Sequence, residues 1–178
     1  MTRRPPDPIE VVTSRREAAL ARLVAGVPYI GFLGARFDSR GDELTAILPF
    51  HPSLIGNPLI PALHGGATAA FLEVTAIVTL AWTTLWEDME TGRIDPASEI
   101  FPALPKTITF TVDYLRSGLP RDAYARATVT RSGRRYASVH IAAWQDNHAR
   151  PFAQASAHFL MPELPTPALP LPVSQGAA

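Results

Sequence analysis

The sequence predicts an α+β domain in which a curved, mainly antiparallel sheet wraps around one long central helix. Three observations carry this reading. The stretch from about Gly65 to Met89 is apolar nearly all round: Ala67, Ala69, Ala70, Phe71, Leu72, Val74, Ala76, Ile77, Val78, Leu80 and Ala81 leave no wide polar face. Two β-rich segments precede it and four follow it. Those four run consecutively through polar turns, without further helices between them. A helix apolar on every side must be covered on most sides, and in a chain of 178 residues a single wrapped sheet is the natural cover.

Taken in order, the first dozen residues are polar and proline-rich and read as a loose arm. A short helix follows, with Ser14 and Glu17 in the S-x-x-E spacing of a capping box. Its apolar face is Ala18, Leu20, Ala21, Leu23 and Val24, and Gly26 with Pro28 ends it. Residues 1–26 are therefore set apart as arm and short helix, 27–161 as the main domain, and the proline-rich 162–178 as a disordered tail. Gly31 to Asp38 and Glu43 to Phe50 read as strands joined through Ser39-Arg40-Gly41-Asp42. A loop punctuated by Pro52, Pro58 and Pro61 leads to the long helix. Beyond the helix, Glu90 to Pro105 is a linker whose Ile94, Ile100, Phe101 and Leu104 suit a pocket wall or lid. In Thr107 to Tyr114, Thr107, Thr109 and Thr111 alternate with Ile108, Phe110 and Val112. Ala123 to Thr130 and Tyr136 to Gln145 flank an Arg131-Ser132-Gly133-Arg134 turn, and Pro151 to Leu160 is the last strand.

Composition narrows the function. Sixteen basic and sixteen acidic residues balance, so the chain has no global field for nucleic acid or an anionic membrane, and any anion recognition must be local. There is no cysteine, which removes disulfides, cysteine–zinc sites and a thiol nucleophile, and which fits a cytoplasmic location. The long apolar run is interrupted by His64, Glu73 and several threonines, and reads as a core helix rather than a membrane span. His140 and His158 stand on separate strands without metal-ligand spacing, so no metal is expected.

The chemistry concentrates between Asn57 and Glu73. His64-Gly65-Gly66 opens the helix, and glycine lets another group approach the backbone closely because no Cβ intervenes. First-turn N–H groups lack intrahelical partners and sit at the positive end of the helix dipole, where a carbonyl oxygen can be polarised. Glu73 is the only acid between Glu43 and Glu87, and it stands inside the apolar helix. A carboxylate there is partly stripped of water, which suits it to act as a base. Eight residues separate Gly65 from Glu73, about 12 Å along a helix. If both act on one carbon, they come from different subunits across a two-fold axis.

This His-Gly-Gly segment, with its carboxylate nine residues after the histidine, resembles the PaaI-type branch of the hot-dog-fold acyl-CoA thioesterases. The likeness extends to Gly41–Pro52, to TITFTVDYLR at 107–116 and to RSGRR at 131–135. It implies a homodimer or homotetramer that hydrolyses an acyl-CoA to the free acid and coenzyme A, with no cofactor beyond the coenzyme A of the substrate. It implies Glu73 as general base or nucleophile, and the Gly65 or Gly66 N–H as oxyanion donor. Asn57 would be the loop amide that orients water or substrate, and Thr107 would stand near the attacking water. Asn57 lies about one residue further from His64 than the family's spacing, and the 90–105 linker is longer than usual. His64 reads as positioning the loop rather than moving protons, and Asn57 equally as a turn former before Pro58. Arg131, Arg134 and Arg135 are candidates for the phosphates of coenzyme A, against the plainer reading of a solvated turn. The rival function is a non-catalytic acyl-CoA sensor or scaffold on the same fold. A buried carboxylate at position 73 argues against it, since a pure binder has no use for one.

Overall fold

The computed structural model describes residues 9–90 and 104–162. The proline-rich tail from 163, and linker residues 91–103, lie outside the described residues. In chain order the elements are α1 (Ile9–Ala25), α2 (Pro28–Leu33), β1 (Arg36–Arg40), β2 (Glu43–Leu48), β3 (Ile55–Asn57), β4 (Ala62–Leu63), α3 (Gly65–Glu90), β5 (Lys106–Tyr114), β6 (Ala123–Ser132), β7 (Tyr136–Trp144) and β8 (Ala153–Leu160). A 3-10 turn, Pro52–Leu54, precedes β3. Six strands form one antiparallel sheet in the order β1-β2-β6-β7-β8-β5. β3 and β4 form a separate two-stranded ribbon.

The sheet face toward α3 is built from small residues. Ala46, Ala125, Ala143 and Ala153 pair in one row across β2, β6, β7 and β8, and each is 0% exposed. Larger buried side chains, among them Leu48, Ile141 and Phe159, share this face of the sheet. Alanine keeps the middle of the sheet shallow, so α3 lies against β2, β5, β6, β7 and β8. The helix buries Phe71, Leu72, Ala76 and Val78 completely. Each large side chain so buried contributes about 1.5–3 kcal/mol. Its threonines fit the apolar setting by bonding backward: Thr75 Oγ1 donates to the Phe71 carbonyl at 2.7 Å, and Thr83 and Thr84 do likewise one turn back. Gly65–Glu87 is long and apolar enough to cross a membrane by length and composition alone, but in this fold it is the mostly buried core helix.

Three local expectations change. α1 begins at Ile9, so Ser14 and Glu17 lie exposed inside it and form no capping box at its start. The reason is that the inward face, Val12, Arg16, Ala19, Leu20 and Leu23, keeps helical spacing back past Ser14, while Ala18 and Ala21 point outward. Arg16 seals this face: its guanidinium lies 4.1 Å from the Trp86 ring centre, and Nη2 is 3.1 Å from Asp42 Oδ1. Residues 31–33, expected in the first strand, instead belong to α2. Pro28 favours a helix start, and Gly34 at φ +72° closes it. The hairpin turn between β1 and β2 is only Gly41-Asp42, because Arg40 already pairs with Glu43, and Gly41 at φ +61° supplies the reversal.

A fourth change matters most for function. β5 carries a bulge at Ile108, between the pairs Thr107–Phe159 and Thr109–His158. Simple alternation puts Thr107 on the face of Thr109 and Thr111. The extra residue moves Thr107 to the face of Phe110 and Val112, which pack on the core, while Thr109 turns outward to His158. Thr107 thereby faces α3.

Candidate active site

β5 grips α3 at two points. Thr107 Oγ1 donates to Glu73 Oε1 at 2.7 Å, and the Tyr114 hydroxyl donates to the Gly65 carbonyl at 2.8 Å. Glu73 is half-buried, and its second oxygen, Oε2, accepts no hydrogen bond among the described residues. The result is a carboxylate fixed by one oxygen and open at the other.

The start of α3 is equally defined. His64 precedes the first helical residue, its carbonyl accepts from the Thr68 N–H at 3.0 Å, and its Nδ1 accepts from the Gly66 N–H at 2.9 Å. His64 is thus the N-cap. The Gly66 N–H is occupied by that ring, whereas the Gly65 N–H has no acceptor among the described residues. The ring is boxed in by glycines on both sides. A Cβ at Gly56 would lie 2.9 Å from His64 Cδ2 and 3.0 Å from its Cα, and one at Gly66 would lie 3.0 Å from Nδ1. The backbone holds the residue as well, since its N–H donates to the Leu54 carbonyl at 2.7 Å.

Asn57 is exposed at the end of β3. Its Oδ1 accepts from the Leu59 N–H at 3.0 Å and its carbonyl from the Ile60 N–H at 3.2 Å. Its oxygen therefore shapes the loop whose tip carries the exposed Leu59 and Ile60. Arg131, Arg134 and Arg135 are all exposed at the β6–β7 hairpin, and none is in an ion pair among the described residues. The row Ser132–Ala137–Phe159–Thr107 puts that hairpin at the Thr107 end of the sheet, opposite the Tyr114 end. Among the described residues, no cluster of three His, Asp or Glu could hold a metal ion.

Tyr114 and Gly56 were not singled out from the sequence. Tyr114 could have been found from strand parity, since it shares the face of Phe110 and Val112 beyond the bulge. Gly56 carries no local signal, because its neighbour His64 is brought to it only by the β3–β4 pairing.

Residues 57–160 match the family model described as the acyl-CoA thioesterase N-terminal domain. The chain belongs to this thioesterase family. Among solved structures, a protein from Chromobacterium violaceum is 33% identical, with 86% of this chain and 96% of that chain covered and a TM-score of 0.59. A thioesterase family protein from Silicibacter pomeroyi shares the fold at 19% identity, with 83% and 98% covered and a TM-score of 0.62. So does a phenylacetic acid degradation-related protein from Ralstonia eutropha JMP134, at 19% identity, 80% and 99% covered and a TM-score of 0.59. No curated protein matches the chain. The six-stranded antiparallel sheet packed on one long helix is the hot-dog architecture of these thioesterases, of the PaaI type that the His-Gly-Gly segment resembles.

Proposed function

We propose that this thioesterase-family chain hydrolyses an acyl-CoA thioester, with Glu73 as general base or nucleophile and the Gly65 N–H as oxyanion donor. The observation that carries the reading is the Thr107–Glu73 hydrogen bond, which orients one carboxylate oxygen and leaves the other free. As a base, Glu73 takes a proton from a water whose oxygen attacks the thioester carbon. As a nucleophile, its free oxygen attacks directly and water hydrolyses the resulting anhydride. In either route the developing oxyanion is met by a helix N-terminal N–H, the C–S bond breaks, and the thiolate leaves and takes up a proton. Gly65 serves here rather than Gly66, whose N–H is taken by His64.

Gly65 and Glu73 stand about 12 Å apart along one helix, so the proposed site is shared between two copies. Support comes from β5, a nine-residue strand at one edge of the sheet. Its exposed Ile108 and Tyr114, with Leu59 and Ile60 on the nearby loop, are the apolar surface a second copy would cover.

The decisive experiment is Glu73→Gln, assayed on a panel of short, medium, long and aromatic acyl-CoAs with a thiol reagent. The expected result is a fall in kcat of at least about 100-fold, with coenzyme A still bound. Near-normal turnover by the Gln variant would remove Glu73 from the chemistry. Absence of turnover by the unaltered protein on every acyl-CoA would favour the sensor reading instead.

A further inference from the structure

A cavity of about 230 Å³ opens at the Tyr114 end of the sheet, where the loop after β5 meets the turn between β7 and β8. Arg116, Arg121 and Arg150 line it, with Asp146 the one carboxylate. In a chain of zero net charge, three guanidinium groups against one carboxylate make a local excess of positive charge. The neighbouring acid Asp122 is not among the residues that line the cavity, and its Oδ1 accepts from the Phe50 N–H at 2.7 Å.

The walls are fixed in place. Arg116 Nη2 donates to the carbonyls of Arg150 and Pro151, which leaves its Nε and Nη1 without acceptors among the described residues. Arg121 is held by Asp146 at 2.6 Å, and Arg150 has no ion-pair partner among the described residues. The Gln145 side chain spends its amide on the backbone of Leu119 and Arg121. Arg116 and Arg121, held in this way, offer guanidinium donors to phosphate oxygens at little cost in ordering, and Arg150 adds a third positive charge beside them.

The cavity also adjoins the start of α3. Gly118, between two lining residues, accepts the Leu63 N–H at 2.8 Å, and Leu63 directly precedes His64 and Gly65. A Cβ at Gly118 would lie 2.9 Å from the Phe152 ring of the cavity wall, so nothing larger fits between wall and loop. The hairpin arginines, in contrast, stand at the other end of the sheet.

The geometry points to this cavity as the subsite for the phosphate groups of the coenzyme A carrier, with Arg150 and Arg121 as the residues that select it. The inference rests on the thioester reading above, but binding tests it separately from turnover. Coenzyme A and phosphate-free pantetheine are titrated by calorimetry into the unaltered protein, Arg150→Gln and the Arg121→Gln/Arg150→Gln double variant. The expected result is a rise of about tenfold or more in the Kd for coenzyme A in the double variant, with pantetheine unmoved. In kinetics the loss falls on KM for an acyl-CoA and spares the matching acyl-pantetheine. Arg150→Gln touches no described side-chain bond and keeps the test valid if the double variant folds poorly. Inorganic pyrophosphate, added as a competitor, displaces coenzyme A if the site reads phosphate alone. Unchanged coenzyme A affinity in the variants, equal loss for coenzyme A and pantetheine, or no binding of coenzyme A to the unaltered protein would each overturn the subsite. Cavity-dependent binding without any turnover would keep the subsite and discard the hydrolase.

Discussion

At the scale of single residues, the structure gives His64 a capping place at the start of the helix that carries the proposed site. Its Nδ1 already accepts from the Gly66 N–H, and Gly56 and Gly66 confine its ring. The ring acts as an N-cap that fixes the first turn of α3 and, through it, the direction of the Gly65 N–H. Asparagine caps helices well, so His64→Asn is expected to keep most of the activity. His64→Ala orphans the Gly66 N–H and should cost about 0.5–2 kcal/mol of stability, together with part of kcat. Thermal denaturation and steady-state assays of the pair check this. If His64→Asn is as inactive as His64→Ala, the imidazole itself takes part and the capping role fails. Asn57 belongs to the same scale: its Oδ1 is spent on the Leu59 N–H, which favours the turn-forming role over the orienting one.

At the scale of elements, the bulge at Ile108 decides how β5 meets α3. Because it turns Thr107 inward, one strand holds the helix at Glu73 and at Gly65, the two positions where the sequence concentrates its chemistry. Thr107→Val keeps the shape and removes the donor. It is expected to lower kcat by about tenfold or more, because a misdirected carboxylate loses its aim. Thr107→Ser restores the hydroxyl and should restore the rate. Equal rates for Val and Ser variants would reduce Thr107 to a strand residue. This element also marks how far the sequence could be read. The long helix, the hairpins and the His-Gly-Gly-to-Glu73 spacing were legible because periodicity and turn residues are local signals. The bulge was not, since a single extra residue leaves the apolar pattern intact and is fixed only by pairing with β8. α2 and the early start of α1 were missed for a related reason. Pro28 reads locally as the terminator of one helix although it begins another, and the α1 face is completed by Arg16 lying on Trp86, a contact far away in sequence.

At the scale of the whole molecule, the question is whether one chain can carry a complete site. Gly65 and Glu73 are held by the same strand, but at separate points along the same rigid helix, so no side-chain motion brings the N–H and the carboxylate onto one carbon. Leu59 is 92% exposed and Ile60 62%, and both sit on the loop that leads into Gly65. In the proposed dimer this loop would reach the neighbouring copy's Glu73, and the apolar tip would lose its exposure. Complementation tests the arrangement directly. Gly65→Pro is suited to it because proline is tolerated at the first helical position and removes the N–H, while its Cβ would lie 3.4 Å from the Tyr114 ring, at van der Waals contact. Glu73→Ala removes the carboxylate. Each variant alone is expected to be nearly inactive. After subunit exchange, half of a random equimolar mixture is mixed dimers, and each of these combines one Glu73 with the other copy's Gly65 in one of its two sites. The mixture should therefore recover about a quarter of the unaltered rate, provided copies pair without preference. Light scattering before and after exchange confirms that dimers are present. A mixture no more active than its components, although the copies have demonstrably exchanged, would place both groups in one chain. The 12 Å spacing would then have to be bridged by the substrate rather than by a partner.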